Sequence, residues 1–390
     1  MKKIQILTVI CFLAILFVGS IAFLALPDVD FSPEENRSLR TFPVYETEKL
    51  FDGSYSAQMN EYFADQFPLR DWLVGLKGYS ELVMQKSEND GILLGKHGQL
   101  AKRLFDIRCA DGRIIEEMDL FDPAHISSVT EGILRASRSL EVPFTVLLPP
   151  RTIDVAASAF AYPCDYADML REQLRKDLAG KCNYLDLLDL YREKYEKGEE
   201  VYFKTDHHWT ALGAYYAYRE ILCSLNRESE ILPMEEFERL SVSDSFFGTF
   251  WSAGGMKSVS ADRLELWCRG NESAFCVEGD GEPLDGLYNL DYLDQKDKYS
   301  VFLDGTHDVV TVKRRDGEKR ETLLIFKDSF ANALAPFLCQ HFDLVLLNLS
   351  SQRRDFTDFS FWAKEYGADA VLLIYTVGNV INTDKMNRLQ

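Results

Sequence analysis

Short apolar runs separated by stretches of helical spacing constrain this chain more than any other feature. The runs lie at 142–148, 322–326, 342–347 and 370–374, with a short, less apolar one at 183–188. Four are too short for a buried helix and too continuously apolar for a strand with one wet face. Apolar residues at helical spacing occupy 126–140, 166–178, 210–225, 330–339 and 359–366 between them. Strand and helix in alternation imply an α/β fold whose parallel sheet is covered on both faces. The rhythm breaks between about 227 and 321, where Gly, Asp and Ser mix with short alternating stretches such as Leu264-Glu265-Leu266-Trp267 and Val309-Val310-Thr311-Val312. That segment reads as a β-rich insertion.

The N-terminus is a different kind of segment. Lys2 and Lys3 precede an apolar run over 4–26, interrupted only by Gln5, Thr8, Gly19 and Ser20. It is long enough to span roughly 30 Å of hydrocarbon as a helix. Lysines on its leading flank put that end in the cytoplasm and the rest of the chain outside. A cleavable signal peptide is the alternative, but its apolar core is usually only roughly 7–15 residues and ends at a small-x-small site. Ser20-Ile21-Ala22 is a poor match and the run continues past it, so the expectation is an uncleaved, single-pass anchor in the cytoplasmic membrane. The expected organisation is an anchor over 1–26, a connector with N-terminal helices over 27–110, and one α/β domain over 111–390. Within 54–84, helical spacing is interrupted at Pro68. Gly91 to Gly95 with Gly98 read as a short strand and tight turn.

Charge and cysteine usage exclude more than they identify. A net charge of −19 leaves no basic stripe to displace counterions from phosphates, so nucleic acid is not a partner. Eight cysteines are present, one of them, Cys11, in the anchor. Cys268 with Cys276, and Cys164 with Cys182, are candidate disulfides outside the membrane. None has zinc-ligand spacing, and neither a metal nor a cofactor is expected.

Two stretches carry chemistry. Tyr202-Phe203-Lys204-Thr205-Asp206-His207-His208-Trp209-Thr210 gathers two of the six histidines beside an aspartate, just before a helix. A carboxylate holding one ring nitrogen leaves the other to take a proton. The competing reading is a helix cap made by Thr205 or Asp206, with exposed histidines. The second stretch is Thr322-Leu323-Leu324-Ile325-Phe326-Lys327-Asp328-Ser329-Phe330-Ala331-Asn332, an apolar strand that stops at Asp-Ser before a helix. Ser329 would stand at the C-terminal edge of the sheet, where open α/β folds place their sites, with helix N–H groups beside it. An N-cap serine is the alternative. Taken together, the stretches supply a nucleophile, a base and its orienting carboxylate.

These residues resemble a known family. Asp206-His207-His208-Trp209 looks like the signature of the DHHW family, which is similar to the alginate O-acetyltransferases of bacterial envelopes, members of the SGNH/GDSL hydrolase superfamily. Lys327-Asp328-Ser329-Phe330 resembles the superfamily's Gly-Asp-Ser-Leu block, with Lys for Gly. Glu35-Asn36-Arg37, Phe67-Pro68-Leu69-Arg70-Asp71-Trp72 and Phe247-Gly248-Thr249-Phe250 are similar to family landmarks. Asp-x-His before Ser is the order of the acetyltransferase branch. The resemblance implies an SGNH-like (flavodoxin-like) three-layer fold. It further implies Ser329 as nucleophile, His208 as base in preference to His207, and Asp206 as orienter. The usual Gly and Asn blocks of the oxyanion hole have no clear match; the Gly248 N–H and the Asn332 and Asn379 amides are candidates beside the Ser329 N–H or its neighbour. Trp209 either packs the motif or lines an acceptor groove. The implied activity is serine acyltransfer or ester hydrolysis, O-acetylating a cell-surface polysaccharide with acyl groups delivered by a membrane-bound O-acyltransferase. The alternatives are a non-catalytic polysaccharide-binding or assembly protein, and a metal-dependent phosphoesterase, for which His97, His125, His307 and His341 offer no ligand spacing.

Overall fold

The computed structural model describes residues 2–32, 37–84, 86–89, 91–102, 123–160, 166–382 and 385–390. Glu35, Asn36, Cys109 and Cys164 lie outside them, and with them the Cys164–Cys182 pairing. The chain divides into two compact units, Met1–Asn89 with Ser252–Ser258, and Asp90–Trp251 with Val259–Gln390.

The first unit is helical. Helix α1 (Lys2–Ala25) contains Gln5–Ala25, long and apolar enough to cross a membrane, as an anchor or a signal sequence. Helices α2 (Ser54–Asp65) and α3 (Arg70–Val83) are separated at Pro68, as its missing N–H and fixed φ require. Leu69 takes a left-handed φ of 62° at the restart. Asp65 closes α2 on the connector: both terminal nitrogens of Arg37 donate to it, at 2.9 and 2.5 Å, as does the Arg40 N–H. The guanidinium bonds hold its carboxyl below the usual range.

The second unit is built on the alternating strands and helices. Among the described residues its main sheet has eight strands: β1 (Phe144–Leu147), β2 (Asn183–Leu185), β3 (Phe275–Gly279), β4 (Glu282–Pro283), β5 (Val309–Arg314), β6 (Thr322–Lys327), β7 (Asp343–Asn348) and β8 (Ala370–Ile374). Their order is β4-β3-β5-β7-β6-β8-β1-β2. The five expected strands pair in parallel, while β5, β3 and β4 extend the β7 edge antiparallel. Counted from β6, the parallel part runs 2-1-3-4-5, with the two earliest strands of the chain taking the last two places.

Both sheet faces are buried, which is why the strands read as unbroken apolar runs. Leu323 and Ile325 of β6 enter one core, with helices α6 (Ala211–Ser224) and α7 (Phe330–Leu338). Leu324 and Phe326 enter the other, with α4 (Pro123–Ser139), α5 (Tyr166–Leu178) and α8 (Phe359–Tyr366). The result is a three-layer α/β unit. Glu238–Phe246 and Asp262–Cys268 form a separate antiparallel pair. This corrects the Cys268–Cys276 pairing: both thiols are free, because Cys268 ends that separate pair while Cys276 lies in β3 of the main sheet.

Candidate active site

The Asp-His-His-Trp stretch is a loop tied at its base. Tyr202 and Trp209 form an antiparallel bridge, and the Phe203 and Thr210 N–H groups reach the His208 and Val201 carbonyls. Thr210, not Thr205 or Asp206, caps α6, its hydroxyl accepting the Gly213 N–H. Asp206 is thereby left for the histidine, and His208 is 6 % exposed. A second buried carboxylate grips the loop's outer turn: Asp262 accepts the Lys204 and Thr205 N–H groups and the Thr205 hydroxyl, at 2.5–2.8 Å. Burial pushes the Asp262 carboxyl up, against those bonds.

Asp206 is saturated. Oδ1 accepts the His208 N–H at 2.9 Å and its Nδ1 at 2.6 Å; Oδ2 accepts the Thr249 N–H at 2.8 Å and its hydroxyl at 3.0 Å. Burial alone would raise this carboxyl, but His207, His208 and these bonds together hold it far below the usual range. An ionised acceptor on Nδ1 fixes the His208 tautomer and leaves the Nε2 lone pair free. That nitrogen lies 2.6 Å from Ser329 Oγ. Tyr299 stacks on the imidazole at 3.7 Å and 9°, holding its plane.

Ser329 sits where β6 gives way to α7, partly open to solvent, with φ −64° and ψ −19°. Asp328 clasps the turn beneath it. Its Oδ1 accepts the Phe330 N–H at 3.1 Å, and its Oδ2 accepts the Thr376 N–H at 2.7 Å and the Asn379 amide at 2.8 Å. Lys327, 2 % exposed, donates to Asn332 Oδ1 at 2.6 Å, and the Asn332 amide donates to the Gly305 carbonyl at 2.9 Å. Burial pulls the Lys327 ammonium down to about 8, partly offset by Asp328.

These bonds revise the oxyanion candidates. The Asn379 amide donates to Asp328, and Asn332 accepts from Lys327 and donates to Gly305, so the bonds these side chains make hold the turn around Ser329. The Gly248 N–H goes to the Thr205 hydroxyl at 3.0 Å. What Gly248 supplies is space: a Cβ there would meet Asp206 Cβ at 2.2 Å and Oδ2 at 2.4 Å. Trp209 is fully buried and bonds the Phe330 carbonyl at 3.0 Å, so it packs the motif and lines no groove. The Phe330 N–H is taken by Asp328. The Ser329 N–H carries no hydrogen bond among the described residues, and it is the donor left beside Oγ, at the positive end of α7.

His207 is not interchangeable with His208. The Thr249 hydroxyl has one proton and gives it to Asp206, so it accepts from His207 Nδ1 at 2.8 Å. Burial and the neighbouring His208 hold His207 below the usual imidazole range. Ligand atoms of Asp206, His207 and His208 lie within 4.8 Å of one another. A metal drawing on Asp206 would compete with the bonds its oxygens make to His208 and Thr249.

Thr249, Tyr299 and Asp262 were missed by sequence reasoning. Thr249 lies in the Phe-Gly-Thr-Phe block, which was a usable signal. Tyr299 and Asp262 stand in stretches with no motif.

The DHHW protein family model matches residues 165–348, a segment carrying both loops of this site, and the family recognised from the four-residue signature is the one matched. A DHHW family protein from Eubacterium siraeum is similar in structure, with TM-score 0.55 and 18 % identity over 76 % of this chain and 98 % of that one. PatB1 from Bacillus cereus is similar with TM-score 0.60 and 18 % identity, over 77 % of this chain and 99 % of that one. A second PatB1 structure, carrying a sulfonyl adduct, matches with TM-score 0.60 and 17 % identity, over 77 % and 98 % of the two chains. At this identity the likeness is one of fold. No curated protein matches the sequence.

Proposed function

Because the chain matches the DHHW family across the segment that holds its site, we propose that it is an SGNH-type serine acyltransferase or esterase. Ser329, His208 and Asp206 are its catalytic residues in this reading. The carrying observation is the hydrogen-bonded series Asp206–His208–Ser329, with both links at 2.6 Å. The 2-1-3-4-5 order counted from the serine strand supports the SGNH assignment, since it is the flavodoxin-like order whose site lies at the switch point between the first and third strands.

His208 Nε2 takes the Ser329 hydroxyl proton as Oγ attacks the carbonyl carbon of an acyl ester. The oxyanion forms against the Ser329 N–H and the α7 N-terminus. Collapse returns the proton from His208 to the leaving alcohol and leaves an acyl-enzyme. An acceptor hydroxyl, deprotonated by the same nitrogen, then takes the acyl group and restores Ser329. Asp206 stays ionised throughout and stabilises the transient imidazolium. The favoured acceptor is a sugar hydroxyl of a cell-surface polysaccharide, with O-acetylation as the reaction. In this proposal α1 is an uncleaved anchor, the site is extracytoplasmic, and a membrane-bound O-acyltransferase supplies the acyl group.

The test is covalent. PatB1 has been solved with a sulfonyl adduct, so sulfonyl fluoride and fluorophosphonate probes suit this chain. Labelling at Ser329, lost in Ser329→Ala with the fold intact, supports the proposal; a folded wild type that resists both probes refutes it. The commitment of the Gly248, Asn332 and Asn379 donors favours one second reading, a polysaccharide-binding or assembly protein on the same fold. It predicts glycan binding without labelling.

A further inference from the structure

Helix α3 has two unlike faces. Its inner face carries Gly75 and Gly78, packed so closely that a Cβ at Gly78 would lie 2.6 Å from the Gly255 carbonyl and one at Gly75 would lie 2.7 Å from the Lys257 side chain. Glycine at both positions lets the helix backbone settle against 255–257 within the same unit. The opposite face repeats apolar residues at the helical i, i+3, i+4, i+7 spacing: Leu69, Trp72, Leu73, Leu76, Tyr79 and Val83. All six are exposed, Leu69 at 75 %, Val83 at 66 % and Trp72 at 61 %. A contiguous apolar stripe of this kind, with Trp and Tyr along one edge, is not left facing bulk water without a use.

What covers it follows from α1, which belongs to the same unit. Phe23, near the end of α1, packs its ring on Tyr62 and Phe63 of α2, at centroid distances of 5.8 and 5.2 Å. One turn deeper, the Phe67 ring lies 3.6 Å from the place a Gly19 Cβ would occupy. Gly19 is seven positions before Leu26, so at 1.5 Å per residue it lies about 10 Å inside the end of the apolar run. The α2–α3 corner therefore sits at the depth of the span itself, and the apolar stripe begins there, at Leu69. Interfacial helices immerse their apolar face by about 5–10 Å, which matches this depth. A net charge of −19 gives no attraction to an anionic surface, so the contact would be apolar partition.

We propose that α3 is an in-plane membrane helix, its Leu69-to-Val83 stripe immersed in the outer-leaflet interface beside α1. The inference rests on reading α1 as an uncleaved anchor. It gives the enzyme a second membrane attachment, which limits the swivel a lone span would allow.

Photo-crosslinking of the full chain tests it. p-Benzoylphenylalanine is placed at Leu76, at Ile21 in α1, or at Lys197, exposed on the second unit. Each protein is irradiated in nanodiscs of phosphatidylethanolamine and phosphatidylglycerol, and adducts are identified by mass spectrometry. The expected result is lipid adduct at Leu76 comparable with that at Ile21 and about tenfold above that at Lys197. Lipid adduct at Ile21 with none at Leu76, or with Leu76 joined to this chain's own second unit or to a second copy, overturns the inference and leaves the anchor standing. No lipid adduct at Ile21 overturns the anchor reading and the inference with it.

Discussion

Gly248→Ala is the sharpest perturbation the site offers, because it adds one methyl and removes no chemical group. Gly248 is not among the residues with left-handed φ, so alanine is acceptable to its backbone and the effect is steric. The new Cβ would lie 2.2 Å from Asp206 Cβ, whereas ordinary contact begins at 3.4 Å, so the two must part by 1.2 Å (3.4 − 2.2). Asp206 cannot give way freely, since four hydrogen bonds hold its carboxylate. Overpacking of this kind costs about 1–3 kcal/mol of stability. A displacement of about 1 Å at a catalytic group costs about 100-fold in rate. The expected outcome is a folded variant whose Ser329 reacts with a fluorophosphonate about 100-fold more slowly, measured as a second-order rate constant, with the stability loss read by urea denaturation. Gly378→Ala is the control, because a Cβ there meets nothing within 4 Å. A folded Gly248→Ala that labels at the wild-type rate, or a Gly378→Ala impaired as much, would refute the steric argument.

Three further variants probe the same geometry. Asp206→Asn should slow labelling by about 10³–10⁴-fold, by freeing the His208 tautomer. The folded-state Asp206 carboxyl lies below its ordinary 3.8, so its contribution is complete above about pH 4 and drains as pH falls. The denaturation midpoint should therefore fall more steeply below pH 4 in the wild type than in Asp206→Asn. For Lys327, burial puts the folded pKa at about 8 against 10.5 unfolded; the unfolded chain then binds more protons between those values, and stability rises with pH across the window. Lys327→Met should abolish that rise, as urea melts at pH 7 and pH 10 would show. Asn379→Ala leaves Asp328 Oδ2 with the Thr376 N–H alone and should cost about 1–2 kcal/mol of stability, while slowing labelling less than about tenfold because Asn379 hydrogen-bonds neither Ser329 nor His208.

The strands that carry the site were legible because burial on both faces removes the polar alternation that would blur them. The helix break at Pro68 was legible because proline's constraint is covalent. The oxyanion candidates were not legible. Asn332 and Asn379 are the right residue type near the right serine, yet the Asn332 NH2 donates to the Gly305 carbonyl and the Asn379 NH2 to Asp328, partners brought there by contacts between distant segments. Gly248 stands in a landmark block, but its use as clearance for Asp206 belongs to a contact between segments 42 positions apart (248 − 206).

By itself, the sequence determined the local alternatives: which stretches are strand or helix, that one terminal helix is long and apolar, and that a serine, two histidines and an aspartate stand at element ends. Each of those follows from interactions within a few residues. Only the tertiary structure decided which alternative holds at the site. Whether His208 is an exposed imidazole or one set between Asp206 and Ser329 Oγ depends on a sheet order that places β6 at its centre. It depends also on a loop held by Asp262, Thr249 and Tyr299 from distant parts of the chain. Such contacts are set by packing in three dimensions, and packing has no period that a linear pattern can carry.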